Sequence, residues 1–199
     1  MQPLTTLEAV AVPLPAADID TDQIIPARFM HAHRRDYGRY FFHDQRFDPQ
    51  SGEPRPDFVL NRFDYANAQI LVTGPNFGCG SSREQAVHTL ADFGIRAIVG
   101  TTFGDIFFSN CLKNGVLPIR ADAAFVVHVS AWLTDRPGAR VKVDLPGQRV
   151  VAPDGKTVAF DIDAFSKEAL VDGLDEIDIT LRFAARIDDF ERRNRLGQT

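Results

Sequence analysis

The chain has 199 residues, 44% of them apolar and 25% charged, with a formal net charge of −5 at pH 7. That composition is ordinary for a globular protein, and a chain of this length buries roughly 70% of its unfolded surface without covalent staples. Net negative charge argues against broad binding to nucleic acid or anionic membrane, both of which need basic surfaces. No apolar stretch approaches the ~20 residues that cross a bilayer. Met1–Val12 lacks the basic and apolar regions of a secretory leader, so a cytoplasmic setting is expected. Cys79 and Cys111 are the only cysteines, too few for a disulfide framework. They also fall short of the three or four thiolates that an iron–sulfur cluster takes, so any cluster in the chemistry belongs to another chain.

Glu8–Leu14 alternates, is rich in valine and alanine, and reads as a strand closed by Pro13 and Pro15. Asp18–Pro26 is a polar turn running into Ile24-Ile25. Phe29–Phe47 is aromatic and arginine-rich without clean periodicity, and is expected to be a short helix with an ordered loop. Asp48–Pro56 is surface loop by its turn residues. From there the pattern is regular: strand at Ala68–Thr73, loop at Gly74–Gly80, helix at Arg83–Phe93, strand at Arg96–Val99, helix at Asp105–Lys113, strand at Val116–Ile119, helix at Ala123–Leu133. Such alternation predicts parallel strands with right-handed crossovers. Val141–Leu145, Gln148–Ala152 and Thr157–Phe160 are short strands, separated by the turn signals Pro146-Gly147 and Asp154-Gly155. Asp163–Val171 has helical spacing with Asp163 as N-cap, and Ile187–Arg195 is a charged helix suited to fraying or to packing on a partner. The fold class is α/β in a single domain over residues 1–199, with a mainly parallel sheet flanked by helices, a small antiparallel C-terminal element, and a charged helix or tail at 184–199.

Asn76–Ala86 (NFGCGSSREQA) concentrates the chemistry. Gly78 and Gly80 allow positive φ and close backbone approach to a ligand. The loop opens a helix whose first N–H groups and dipole favour an anion. Arg83, in the expected first turn, opposes that dipole unless its guanidinium forks onto a bound carboxylate. Ser81 with Glu84, and Ser82 with Gln85, also match the S-x-x-E/Q capping box. Spacing does not separate the cap from a catalytic serine, and the two are compatible. No G-x-S-x-G elbow and no G-x-x-x-x-G-K-[ST] loop is present, which argues against an acyl-transfer triad and against nucleotide hydrolysis.

Three motifs carry a family resemblance over nearly the whole chain: Asp20-Thr21-Asp22-Gln23-Ile24-Ile25-Pro26, Asn76–Ala86, and Phe103–Ile119 (FGDIFFSNCLKNGVLPI). Ala164–Leu181 adds a weaker C-terminal match. The chain resembles the small subunit of 3-isopropylmalate dehydratase, the separate swivelling β/β/α domain of the aconitase superfamily. The resemblance implies a hydro-lyase that interconverts 2-isopropylmalate and 3-isopropylmalate in leucine biosynthesis. It implies a large-subunit partner, in a heterodimer or heterotetramer, that carries a [4Fe–4S] cluster; the sequence leaves open whether the isolated chain is a homo-oligomer. By position, Ser81 would be the base, Ser82 and Arg83 would hold a substrate carboxylate, and Asp22 would organise the site. Gly78, Cys79 and Gly80 would line the substrate site, with Arg28, Phe29 and Met30 in the specificity stretch after Pro26.

The chain departs from the family pattern in two places. Gln85 stands where the family has histidine, which puts the hydrogen bonding behind the loop in question. Ala27-Arg28-Phe29-Met30 differs from the usual stretch: Phe29 and Met30 suit an isopropyl group, whereas Arg28, Arg34 and Arg35 suit a more polar acid. A related methylmalate-type acid and a non-catalytic anion-binding partner therefore stay open as alternatives. The Arg34, Arg35 and Arg39 cluster reads either as a solvated face or as a neighbour of an acidic substrate. Cys79 is a small tolerated side chain or an activated thiol, and Cys111 belongs to a buried helix face. The five histidines show no metal-ligand spacing. Asp18, Asp20 and Asp22 alternate as at the start of a calcium loop, but the downstream Gly and Glu are missing, so no metal is expected on this chain.

Overall fold

The computed structural model describes residues 1–195, the side chains of Arg34, Arg35, Asp36 and Arg195 excepted. The basic cluster expected at Arg34 and Arg35 and the end of the tail at 196–199 thus lie outside the described residues. The first strand, β1 (Thr6–Leu14), is nine residues long and organises everything else. It is followed by two four-residue helices, α1 (Thr21–Ile24) and α2 (His43–Arg46), and then by β2 (Ile70–Thr73). The alternating core comprises α3 (Glu84–Phe93), β3 (Ala97–Gly100), α4 (Asp105–Lys113), β4 (Leu117–Arg120) and α5 (Ala123–Asp135). Three short strands, β5 (Arg140–Asp144), β6 (Arg149–Val151) and β7 (Thr157–Ala159), precede helices α6 (Ala164–Asp172), α7 (Glu176–Leu181) and α8 (Ala184–Arg195).

All seven strands form one sheet in the order β4-β3-β2-β1-β5-β6-β7. The second half of β1 pairs parallel with β2, Ala11 opposite Ile70 and Leu14 opposite Thr73. Its first half pairs antiparallel with β5, from Thr6 opposite Asp144 to Val10 opposite Arg140. The C-terminal strands are therefore an extension of the parallel sheet through β1. The expected antiparallel element is present and continuous with the rest. Pro118 is tolerated in β4 because that strand is an edge.

β2, β3 and the second half of β1 are buried on both faces, so their successive residues feed two separate cores. Val12, Leu14, Leu71 and Ile98 face α3 and α4, together with Val87, Leu90 and Phe107. Ala11, Ile70, Val72, Ala97 and Val99 face α5, whose Phe125, Val126, Val129 and Leu133 cover them. Caps follow local chemistry: Asp122 accepts from the Phe125 amide at 2.8 Å, and Asp163 from the Ser166 amide at 2.9 Å, as expected for that helix. Gly94 closes α3 in the left-handed region at φ 110°.

Some local expectations are corrected. Asp18–Pro26 holds a helix, because Asp20 and Gln23 form a reciprocal capping box that starts α1. Phe29–Phe47 contains a 3-10 turn at Arg34–Tyr40 as well as the short helix α2, and another 3-10 turn, Ala27–Phe29, leads into it. Helix α7, started by a capping box of Asp175 and Asp178, lies within the Ala164–Leu181 stretch, where periodicity predicts only the helix over Asp163–Val171. Among the described residues no helix is long and apolar enough to cross a membrane.

Candidate active site

The loops leaving β1 and β2 run side by side beyond the carboxyl edge of the sheet. Asp18 donates its amide to the Pro75 carbonyl at 3.0 Å, Gly78 to Ile19 at 2.7 Å, and Thr21 to Cys79 at 3.0 Å. The Thr21 hydroxyl then donates to the Ser81 carbonyl at 2.9 Å, which fixes the backbone of the serine from below. Phe77 packs edge-on against Phe107 at 5.5 Å between ring centres and anchors the loop to α4. Gly78 is required at its position: φ is +72°, and a Cβ there would lie 2.2 Å from the Phe107 ring. Gly104 is equally constrained, since a Cβ would lie 2.4 Å from the Gly78 carbonyl oxygen.

A cleft of about 320 Å³ opens above this crossing, lined by Thr21, Gly78 to Arg83, and Gly104 to Phe107. It collects Gly78, Cys79, Gly80, Ser81, Ser82 and Arg83 as the sequence anticipated. It also exposes what the sequence reading missed: Gly104, Asp105, Ile106 and Phe107, the start of α4. The signal was present, because Gly104 precedes a helix inside a motif already singled out; only the fold shows that this end faces the glycine loop.

Of the two roles that spacing left open to the serines, the capping box is not formed. The N-cap of α3 is Arg83, in extended conformation, and no side chain caps its amides. Gly104 at the N-cap of α4 likewise supplies no side-chain cap. Two helix N-termini, with their uncapped N–H groups and positive dipole ends, therefore border one cleft. Ser81 and Ser82 are exposed at this mouth and are not consumed in capping. A negatively charged group suits such a field.

Arg83 is mostly buried, with 15% of its side chain exposed, and Nη1 donates to the Asp22 carboxylate. The Arg83 hydrogen bond and charge hold the Asp22 carboxyl below its ordinary value. Asp22 thus touches the site through Arg83. The Cys79 thiol is pushed up, first by burial and then by the charges of Asp20 and Asp18, the opposite of an activated thiolate. Cys111 is fully buried in α4, and burial pushes its thiol well up.

Arg28, Phe29 and Met30 do not line the cleft. Arg28 is engaged by Asp44 through both terminal nitrogens, one contact at 3.0 Å. Phe29 stacks on Tyr40 at 4.1 Å and tilts against His43 at 4.6 Å. The Met30 carbonyl accepts from the Tyr37 hydroxyl at 2.8 Å. Behind the loop, around Gln85, side-chain hydrogen bonding runs through other residues. Asn114 donates to Glu84 at 2.9 Å and lies 3.1 Å from His88 Nε2, tying the first turn of α3 to the end of α4.

A glycine loop at the carboxyl edge of this mixed sheet, between two helix N-termini, is the arrangement of an aconitase-type domain: the aconitase C-terminal domain model matches residues 1–124, and the LeuD_N model matches residues 131–164. The 3-isopropylmalate dehydratase small subunit of Rhodopseudomonas palustris strain BisA53 is 47% identical, covering 97% of this chain and 96% of its own length. That of Rhodospirillum centenum is 46% identical, covering 100% and 98%. The crystal structure of 3-isopropylmalate dehydratase from Methanocaldococcus jannaschii is similar with a TM-score of 0.67 at 25% identity, over 93% of this chain and 99% of that one. The chain belongs to the 3-isopropylmalate dehydratase small-subunit family.

Proposed function

We propose that this chain is the base-supplying subunit of a cytoplasmic hydro-lyase that interconverts 2-isopropylmalate and 3-isopropylmalate in leucine biosynthesis, active only with a large subunit. The observation that carries the reading is the cleft, where Arg83 and two uncapped helix N-termini border the exposed hydroxyls of Ser81 and Ser82.

Ser81 Oγ takes the proton from the carbon beside a substrate carboxylate as the hydroxyl leaves the neighbouring carbon. The reverse addition at the exchanged positions gives the isomer. An alkoxide on Ser81 is a strong base that needs concentrated positive potential, which the α3 and α4 amides supply without reorganising. Ser82 and Arg83 hold the substrate carboxylate, with Asp22 fixing the guanidinium. Ile106, half exposed on the facing lip, provides apolar surface for a branched alkyl group. Cys79 and Cys111 do not make up a cluster's donor set, and no group of three potential metal-binding side chains occurs among the described residues. The iron–sulfur cluster expected on the large subunit supplies Lewis-acid activation of the leaving hydroxyl when the two chains close.

The test is reconstitution. This chain with its large subunit should hydrate isopropylmaleate, while turnover by this chain alone would refute the reading. If hydration favours methylmaleate-type acids instead, the chemistry stands and the substrate is the related acid. A chain that binds the dicarboxylate but yields no turnover with any large subunit is the non-catalytic anion-binding partner.

A further inference from the structure

Thr21 opens α1 and is 2% exposed, although Asp22 and Gln23 beside it reach solvent. A buried hydroxyl takes a partner. Inside α3, α5 and α7, Thr89, Thr134 and Thr180 donate theirs to the carbonyl four residues back, at 2.7–2.8 Å, the usual bond of a helical threonine. Thr21 stands at the head of its helix with no helical carbonyl behind it. Its hydroxyl reaches 60 positions along the chain instead, to the carbonyl of Ser81.

That bond is the only hydrogen bond made by Gly80, Ser81 or Ser82 among the described residues. Before it, the loop is strapped down by Gly78 to Ile19 and by Thr21 to Cys79. After it, the next backbone bond runs from Ala86 to Arg83 at 3.1 Å. Thr21 is itself well fixed, because the Asp20–Gln23 capping box starts α1 and Ile24 and Ile25 are fully buried in the core. An exposed serine is thus hung from a rigid element by one hydroxyl.

Thr21 takes two carbonyls of the loop, that of Cys79 through its amide at 3.0 Å and that of Ser81 through its hydroxyl at 2.9 Å. Across a trans peptide a carbonyl and the following N–H point in opposite directions. The N–H groups of Gly80 and Ser82 are therefore turned away from Thr21, and neither has a partner among the described residues. One buried side chain sets both the course of the Ser81 backbone and the direction of a donor beside it.

We propose that Thr21 is a positioning residue for the reaction: by holding the Ser81 carbonyl it aims Ser81 Oγ and keeps the Gly80 and Ser82 amides free to receive negative charge. The inference rests on the reading of Ser81 as base and adds what holds that base in place. The Thr21 hydroxyl is spent on Ser81, so it acts through the serine and not on the substrate.

Two substitutions separate the hydroxyl from the packing. Thr21→Val keeps the shape and deletes the hydroxyl; Thr21→Ser keeps the hydroxyl and deletes the buried methyl. In steady-state kinetics with the large subunit, Thr21→Val should lower kcat about tenfold or more. KM should stay within about threefold, because Arg83 keeps its own partner, Asp22. Thr21→Ser should keep kcat within about threefold, although its isolated chain should melt at a lower temperature than the wild type. Thr21→Ala against Thr21→Ser repeats the contrast with the methyl absent from both. Wild-type kcat in Thr21→Val, or an equal loss of kcat in Thr21→Ser, overturns the positioning role. Turnover retained by Ser81→Ala would overturn the reading of Ser81 and this inference with it, so the two failures are told apart.

Discussion

Arg83, the N-cap residue of α3, donates from Nη1 to the carboxylate of Asp22, which lies 61 positions earlier in the chain. The pair joins the loop after β1 to the loop after β2 at the edge of the cleft. It aims a largely buried guanidinium that would otherwise be repelled by the helix dipole behind it.

Asp22→Asn should therefore act on binding geometry more than on stability. Asp22 is about half exposed, so the pair is worth no more than about 1 kcal/mol to folding. Steady-state kinetics of the assembled enzyme should show kcat/KM falling about tenfold, mostly through KM. Because pairing depresses the Asp22 pKa, its contribution is complete above the ordinary 3.8 and is lost as pH falls through the depressed value. An activity profile near neutral pH should carry no limb from this group; a limb there that disappears in the Asn variant would contradict the assignment.

Ser81→Ala removes the proposed base. Turnover should fall by at least about 10²-fold, with association to the large subunit unchanged. The exposed site should shift folding free energy by no more than about 0.5 kcal/mol. Retained activity would move the base to Ser82 or to the partner.

The two glycines of the loop should separate strain from collision. Gly80→Ala meets nothing nearer than 3.4 Å, so its cost is that of the left-handed backbone, about 1–2 kcal/mol. At Gly78 the added methyl also strikes the Phe107 ring, and urea unfolding should register about 3 kcal/mol or more. Equal losses at the two positions would show that the Phe107 contact does not hold the loop.

Cys79→Ser should retain turnover within about threefold, because a thiol whose pKa is raised is a poor nucleophile near neutral pH. In the native chain a thiol reagent should label Cys79 well before Cys111, which labels only on unfolding. Inactivation of the Ser variant would revive the thiol mechanism.

Much of this protein was legible locally. The strand and helix alternation from Ala68 to Leu133 follows from apolar periods of a few residues, and the Pro146-Gly147 and Asp154-Gly155 turns announce the C-terminal strands. Gly78 and Gly80 announced positive φ, which the structure has at +72° and +88°. Spacing left the serine caps open because the S-x-x-E/Q pattern is satisfied by spacing alone, whereas capping depends on where the helix begins, and α3 begins at Glu84.

By itself the sequence determined the elements, the glycine–serine–arginine loop and the motifs of its family, because propensity, turn chemistry and periodicity act between near neighbours. Only the tertiary structure decided that β1 pairs parallel on one side and antiparallel on the other, and that α4 brings a second helix N-terminus to the cleft. It alone gave Arg28 to Asp44 and Arg83 to Asp22. Those pairings join residues from 16 to 61 positions apart, and partners at such distances are chosen by how whole elements pack, which no local pattern encodes.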